Sequence, residues 1–143
     1  MTVPMWMLLG FAAWTALLLL STIGVYRLSR IFTGRVPFGG FPADRVEGDD
    51  WYRRSMRAHA NCIENLPVFG AIVLALYAGG VGGTIVDYLS ISILAARVVQ
   101  SLIHVSFVQT NSVVAMRFTF FSVQLAGFLA LIVMIVRHAW PAS

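Results

Sequence analysis

Charged and amide side chains recur at helical spacing inside stretches that are otherwise apolar. Arg53, Arg57, Asn61 and Glu64 fall within an arc of roughly 80° if their segment turns by 100° per residue. Glu64 would lie about 10 Å further along the axis than Arg57. Arg97, Gln100, Ser101 and His104 repeat the pattern on one face of a later segment. Arg117 is followed on its own face by Phe121 and Gln124, and Arg27 closes the first apolar stretch. Guanidinium groups read anions through paired N–H donors, and Asn supplies both a donor and an acceptor. Gathered at one level, these groups suit the binding of a small polyanion near a membrane surface.

The elements that must position them follow from composition. Of 143 residues, 59% are hydrophobic and 11% charged, where soluble domains carry roughly a quarter charged residues. The mean hydropathy is +0.82. A small soluble core cannot hide that much apolar surface, whereas a bilayer can. A span needs about 20 apolar residues, and four segments qualify, at about 5–26, 57–78, 85–108 and 115–136. The expected fold is an all-α membrane protein, a single domain over 1–143 built as an antiparallel bundle of four transmembrane helices. Arg27 and Arg30 follow the first stretch and no small-x-small cleavage pattern closes it, so it reads as a retained helix.

Short connections set the topology. Gly79-Gly80-Val81-Gly82-Gly83 and Gln109-Thr110-Asn111-Ser112 are tight turns, while a long loop at about 27–56 contains Gly34, Pro37, Gly39, Gly40 and Pro42. All ten basic residues are Arg, and seven of them lie in or beside that loop. The positive-inside bias therefore places the first and third connections in the cytoplasm and both termini on the opposite side. Arg27, Arg57, Asn61, His104 and Arg117 then share one depth in the cytoplasmic half, with Glu64 and Arg97 about two turns deeper. The net charge of +4 sits beside the spans, which fits headgroups and argues against a nucleic-acid partner. The one cysteine, Cys62, allows no intrachain disulfide and no thiolate metal site. Phosphate-loop, dinucleotide-glycine, zinc-ligand and serine-nucleophile motifs are all lacking.

Each residue also has a plainer reading. Arg27, Arg53 and Arg54 read as topology and headgroup anchors, and Asn61 as a hydrogen bond to a neighbouring helix. His104 can cap the third helix, and Arg97 is expected to pair with Glu64 between the second and third helices. His59 points away from Arg57, Pro67 is expected to kink the second helix, and Cys62 reads as packing.

The run Arg57-Ala58-His59-Ala60-Asn61-Cys62-Ile63-Glu64-Asn65-Leu66-Pro67 resembles the second-helix signature of the MAPEG family, Arg-Ala-x-x-Asn-x-x-Glu with Pro close behind. Size, four spans, a long first loop and Arg117 near the start of the fourth span extend the resemblance over essentially the whole chain. It implies a homotrimer that binds glutathione, or another low-molecular-weight thiol, between subunits. It further implies that Arg57, Asn61 and Glu64 hold the tripeptide, that Arg27 and His104 add contacts, and that Arg117 acts as the catalytic residue beside the thiol. The implied activity is that of a glutathione transferase or peroxidase acting on hydrophobic small molecules delivered by the lipid bilayer past Phe118, Phe120 and Phe121. The chain departs from catalytic members at Ala60, where they often carry Arg, and at Phe118 and Phe121, where some carry Ser and Tyr. A third-helix Tyr of several members falls near Phe107 or Val108.

Two other classes fit the same residues. One is a non-enzymatic membrane protein whose polar stripe specifies packing; the other is a small transporter with Arg97 and Glu64 on a polar path, which the lack of paired repeats disfavours. The Arg bias makes a direct prediction. With Cys62 replaced, a cysteine placed at Ala43 is expected to react with an impermeant maleimide from the cytoplasmic side alone, and labelling from outside only would invert the topology.

Overall fold

The computed structural model describes residues 1–42 and 44–140; Ala43, the labelling position above, lies outside the described residues. Four long helices run through the chain: α1 Val3–Phe32, α2 Asp50–Ala78, α3 Thr84–Ser106 and α4 Asn111–Ala139. All four are long and apolar enough to cross a membrane, and no strand occurs among the described residues. The chain is a four-helix integral membrane bundle, as its hydropathy predicts.

The helix ends are set by local chemistry. Pro4 opens α1, where a missing N–H costs nothing. The Thr110 hydroxyl caps α4 by accepting from the Val113 N–H at 3.3 Å. Between α2 and α3, Gly80 and Gly83 have φ of +64° and +126°, conformations that side-chain-bearing residues rarely adopt.

Every helix has at least one boundary that differs from the hydropathy reading. Helix α1 continues past Tyr26 to Phe32, α2 begins at Asp50 rather than near Arg57, and α4 spans 111–139 rather than 115–136. The first connection shrinks to 33–49. Hydropathy detects the hydrocarbon core, whereas a helix continues as far as its polar residues find partners. Here Arg30 pairs with Asp49 across the loop at 2.5 Å, and Arg54 pairs with Asp50 one turn earlier on α2. The opposite occurs in α3, which stops at Ser106, because Phe107 turns extended at φ −113° and ψ 139°. Helix α2 continues through Pro67 without a break.

Within α1, Leu19–Gly24 winds as a π-helix. The Ser21 and Thr22 hydroxyls bond back to the carbonyls of Leu17 and Leu18 at 2.7 and 2.5 Å, a contact that loosens helical turns. The wider turn shifts the face presented by everything after it, including Tyr26, Arg27 and Arg30.

Helix α3 is central and packs against the other three. Around it the rings of Phe11, Phe69 and Phe128 form a ladder from α1 through α2 to α4, with centroids 5.8 and 6.0 Å apart. Helix α4 approaches closely because Gly127 faces Ile93: a Cβ there would lie 2.7 Å from the Ile93 Cγ1. Gly127→Val is therefore expected to destabilise the bundle by about 1–3 kcal/mol through overpacking. Adding Ile93→Ala should make the double variant more stable than the two single losses summed, as measured by thermal unfolding in detergent.

Candidate functional site

Helices α2, α3 and α4 line an open cavity of about 290 Å³ at their Arg-rich end, at the small edge of the range of about 300–1,000 Å³ typical of ligand sites. Arg57, Asn61, Glu64 and Asn65 reach it from α2, Arg97, Gln100 and His104 from α3, and Val114, Arg117, Phe118 and Phe121 from α4. Five of the six residues expected to form a site (Arg57, Asn61, Glu64, His104 and Arg117) thus line one space. Antiparallel topology explains the convergence. The starts of α2 and α4 and the end of α3 lie at the same end of the bundle, so residues far apart in sequence share one level.

Charge in the cavity is unbalanced, with three guanidinium groups facing a single carboxylate. The expected Arg97–Glu64 pair is absent, because Glu64 Oε1 instead lies 3.9 Å from Arg57 Nη1. The two residues are neighbours on the same outer stripe of α2, and their side chains are 63% and 59% exposed in the single chain. Arg97 turns inward. It is 1% exposed, its guanidinium lies 5.7 Å from the Phe11 ring centroid, and its Nε and Nη2 have no hydrogen-bond partner. His104 is buried too, with Nδ1 unpartnered. Unpaired donors at that burial are costly unless a ligand or water completes them. A lining of this kind can offer cations and open donors to an anion carrying several hydrogen-bond acceptors.

Two amides tie the cavity wall together. Gln124 Nε2 donates to Gln100 Oε1 at 3.0 Å, and Gln100 Nε2 donates to the Arg117 carbonyl at 3.0 Å. On α2, Asn65 Nδ2 donates to the Asn61 carbonyl at 2.8 Å. Asn65 and Val114 were not among the sequence candidates. Both had a signal, since Asn65 lies one turn beyond Asn61 and Val114 three residues before Arg117. Phe120 lies outside the lining, whereas Phe118 and Phe121 belong to it.

Arg27 is the exception. In the single chain it lines a separate cavity of about 40 Å³ with Phe41, Arg45, Glu47, Tyr52 and Met56. Its Nε donates to the Tyr52 hydroxyl at 2.8 Å, and its guanidinium lies 5.3 Å from the Phe41 ring centroid. Tyr26 stacks on Tyr52 with centroids 4.2 Å apart, and its hydroxyl accepts from the Asp49 N–H at 3.1 Å. The π-helical turn and this aromatic clasp direct Arg27 toward the loop rather than toward His104.

The sequence model of the MAPEG family matches residues 5–137. The chain belongs to the MAPEG family. No curated protein and no solved structure matches it significantly. As a MAPEG protein it is a multi-pass membrane bundle of a family concerned with glutathione and eicosanoid metabolism. The MAPEG match spans all four helices and every residue of the cavity.

The clasp makes a prediction of its own. Tyr52→Phe deletes the hydroxyl that accepts from Arg27 and should lower stability by about 1.5 kcal/mol, the low end for a hydrogen bond to a charged group. Denaturant unfolding in micelles measures it, and an unchanged midpoint would show that the bond contributes nothing.

Proposed function

We propose that the cavity binds glutathione, or another low-molecular-weight thiol of similar charge, and presents its sulfur to hydrophobic electrophiles dissolved in the bilayer. The observation that carries this reading is Arg97, a buried guanidinium with open donors in a cavity that also holds Arg57, Arg117 and Glu64. Glutathione carries two carboxylates and one ammonium group, and the lining offers cations for the first and a carboxylate for the second. Arg57 and Arg97 hold carboxylate groups, Glu64 the ammonium, and Asn61 and His104 the peptide amides. Bound there, the thiol supplies the nucleophile for transfer to an electrophile or for reduction of a peroxide. Arg117 favours the ionised sulfur, because nearby cations stabilise thiolate. Phe118 and Phe121 form the apolar side on which a lipid-soluble substrate rests.

A homotrimer completes this picture. Arg57 and Glu64 stand on the outside of the lone bundle, where charges facing lipid are costly. A second copy packed against α2 covers them, and Arg27 reaches the cavity from that neighbour. The first loop and the cavity mouth face the cytoplasm, where the Arg residues accumulate and glutathione is abundant. A second reading, binding without efficient turnover, is favoured by Phe118 and Phe121, which line the cavity without hydroxyl groups to assist the thiol.

The test separates binding from chemistry. Glutathione at 100 times its dissociation constant should stabilise detergent-purified protein by about 2.7 kcal/mol, read as a rise in melting temperature. Arg97→Met should melt no lower than wild type without ligand, because it removes an unpaired buried charge, and should lose the rise. Arg117→Ala should keep most of the rise while losing the ultraviolet thiolate band of the bound thiol. Saturating glutathione without effect on wild type would refute the reading, and a thiolate band without turnover of a model electrophile would select the second.

A further inference from the structure

Gln124 is fully buried and contributes nothing to the cavity lining, yet its hydrogen bonds have a direction that ends at Arg117. Its Nε2 donates to the Phe120 carbonyl one turn back on α4 at 3.0 Å. The carbonyl can only accept, so the amide cannot be turned round without setting two oxygens face to face. The other Nε2 proton then meets Gln100 Oε1 across the α3–α4 contact at 3.0 Å. That fixes the Gln100 amide in turn and leaves its Nε2 to donate to the Arg117 carbonyl at 3.0 Å. The relay starts at one α4 carbonyl and ends at another three residues earlier, with Gln100 of α3 held between them.

We infer that Gln124 is a positioning residue for Arg117, acting through Gln100 to fix the rotation of α4 where the guanidinium enters the cavity. The inference rests on the proposed role of Arg117 toward a bound thiol, but the geometry it concerns exists without ligand. Rotation matters here because each residue turns the helix by 100°. A slip of α4 about its axis would turn Arg117 away and leave more of Phe118, which already lines the cavity and is two-thirds exposed, at the opening. Apolar packing holds α4 against α3 and α2 deeper in the bundle, at Gly127 and Phe128, ten and eleven residues from Arg117. A directed pair of amides limits it at one point, beside the residue whose aim counts.

The experiment measures the reactivity of individual arginines toward phenylglyoxal by mass spectrometry, first in ligand-free, detergent-purified protein. In Gln124→Leu, Arg117 is expected to react at least threefold faster than in wild type, while Arg57 in the same cavity stays within twofold. Gln100→Leu, which removes the final bond directly, should give the same pattern and serves if Gln124→Leu does not fold. Gln124→Glu keeps the shape but loses both donors, and should also release Arg117. Equal acceleration at Arg57 and Arg117, or none at either, would overturn the inference. A second arm repeats the measurement with glutathione and follows the thiolate band against pH. In Gln124→Leu the midpoint of thiol ionisation should rise by about one unit, with affinity for S-methylglutathione within threefold of wild type. If glutathione neither protects wild-type Arg117 nor shows a thiolate band, the proposed function fails while the ligand-free result still decides the relay.

Discussion

A charge placed in hydrocarbon costs about 2.5–3.5 kcal/mol even on insertion scales, and much of this bundle is arranged round one such charge. Arg97 sits on the central helix with its guanidinium 5.7 Å from the Phe11 ring centroid and with two nitrogens unsatisfied. No carboxylate neutralises it within 4.0 Å among the described residues. The helices around it supply more positive charge instead, from Arg57 and Arg117. Such an arrangement suits an anion from outside the chain's own sequence. Near that level His104 Nδ1 and Gln124 Oε1 are also buried without a partner, a cost that water or a ligand could offset only where it reaches them.

Apolar packing supplies the frame that keeps those groups apart from lipid. The Phe11, Phe69 and Phe128 ladder and the Gly127–Ile93 approach lie deeper along the helices than Arg57 and Arg117, beyond the cavity. They fix the spacing of α1, α2 and α4 against α3 without polar atoms. Above them the contacts change character. Amide bonds join α3 to α4, and an aromatic clasp joins the first loop to α1 and α2. The bundle is thus apolar and tightly packed in its depth, and polar and specific at its Arg-rich end.

Much of this was legible in the sequence because bilayers impose simple rules. Twenty-residue apolar runs gave four helices, and antiparallel order with helical spacing put Arg57, Asn61, His104 and Arg117 at one level, with Glu64 about two turns deeper on the same stripe. What escaped was whatever depends on side-chain direction. Glu64 is as close in projection to Arg57 as in depth to Arg97, and only the packed bundle decides that Arg97 turns toward Phe11. Arg27 has the right depth, but the winding of α1 beneath it changes at Leu19–Gly24, a change that hydropathy does not report. The helix ends escaped for a related reason: Asp49, Asp50, Arg30 and Arg54 extend helices beyond the hydrocarbon by pairing, and charge pairs leave no apolar trace.

The π-helical turn in α1 also gives that helix an adjustable joint. Its inner portion, Val3–Leu18, is committed to the core through Phe11, whereas Val25–Phe32 is committed to the loop through Tyr26 and Arg30. An inserted residue between two such anchored halves lets each keep its own register, as a spacer does between two machined parts. Shortening that stretch by one residue would restore even winding and force one half to swing by about 100°. The two ends of α1 can therefore accept sequence change independently of each other, and the loose turn is the reason.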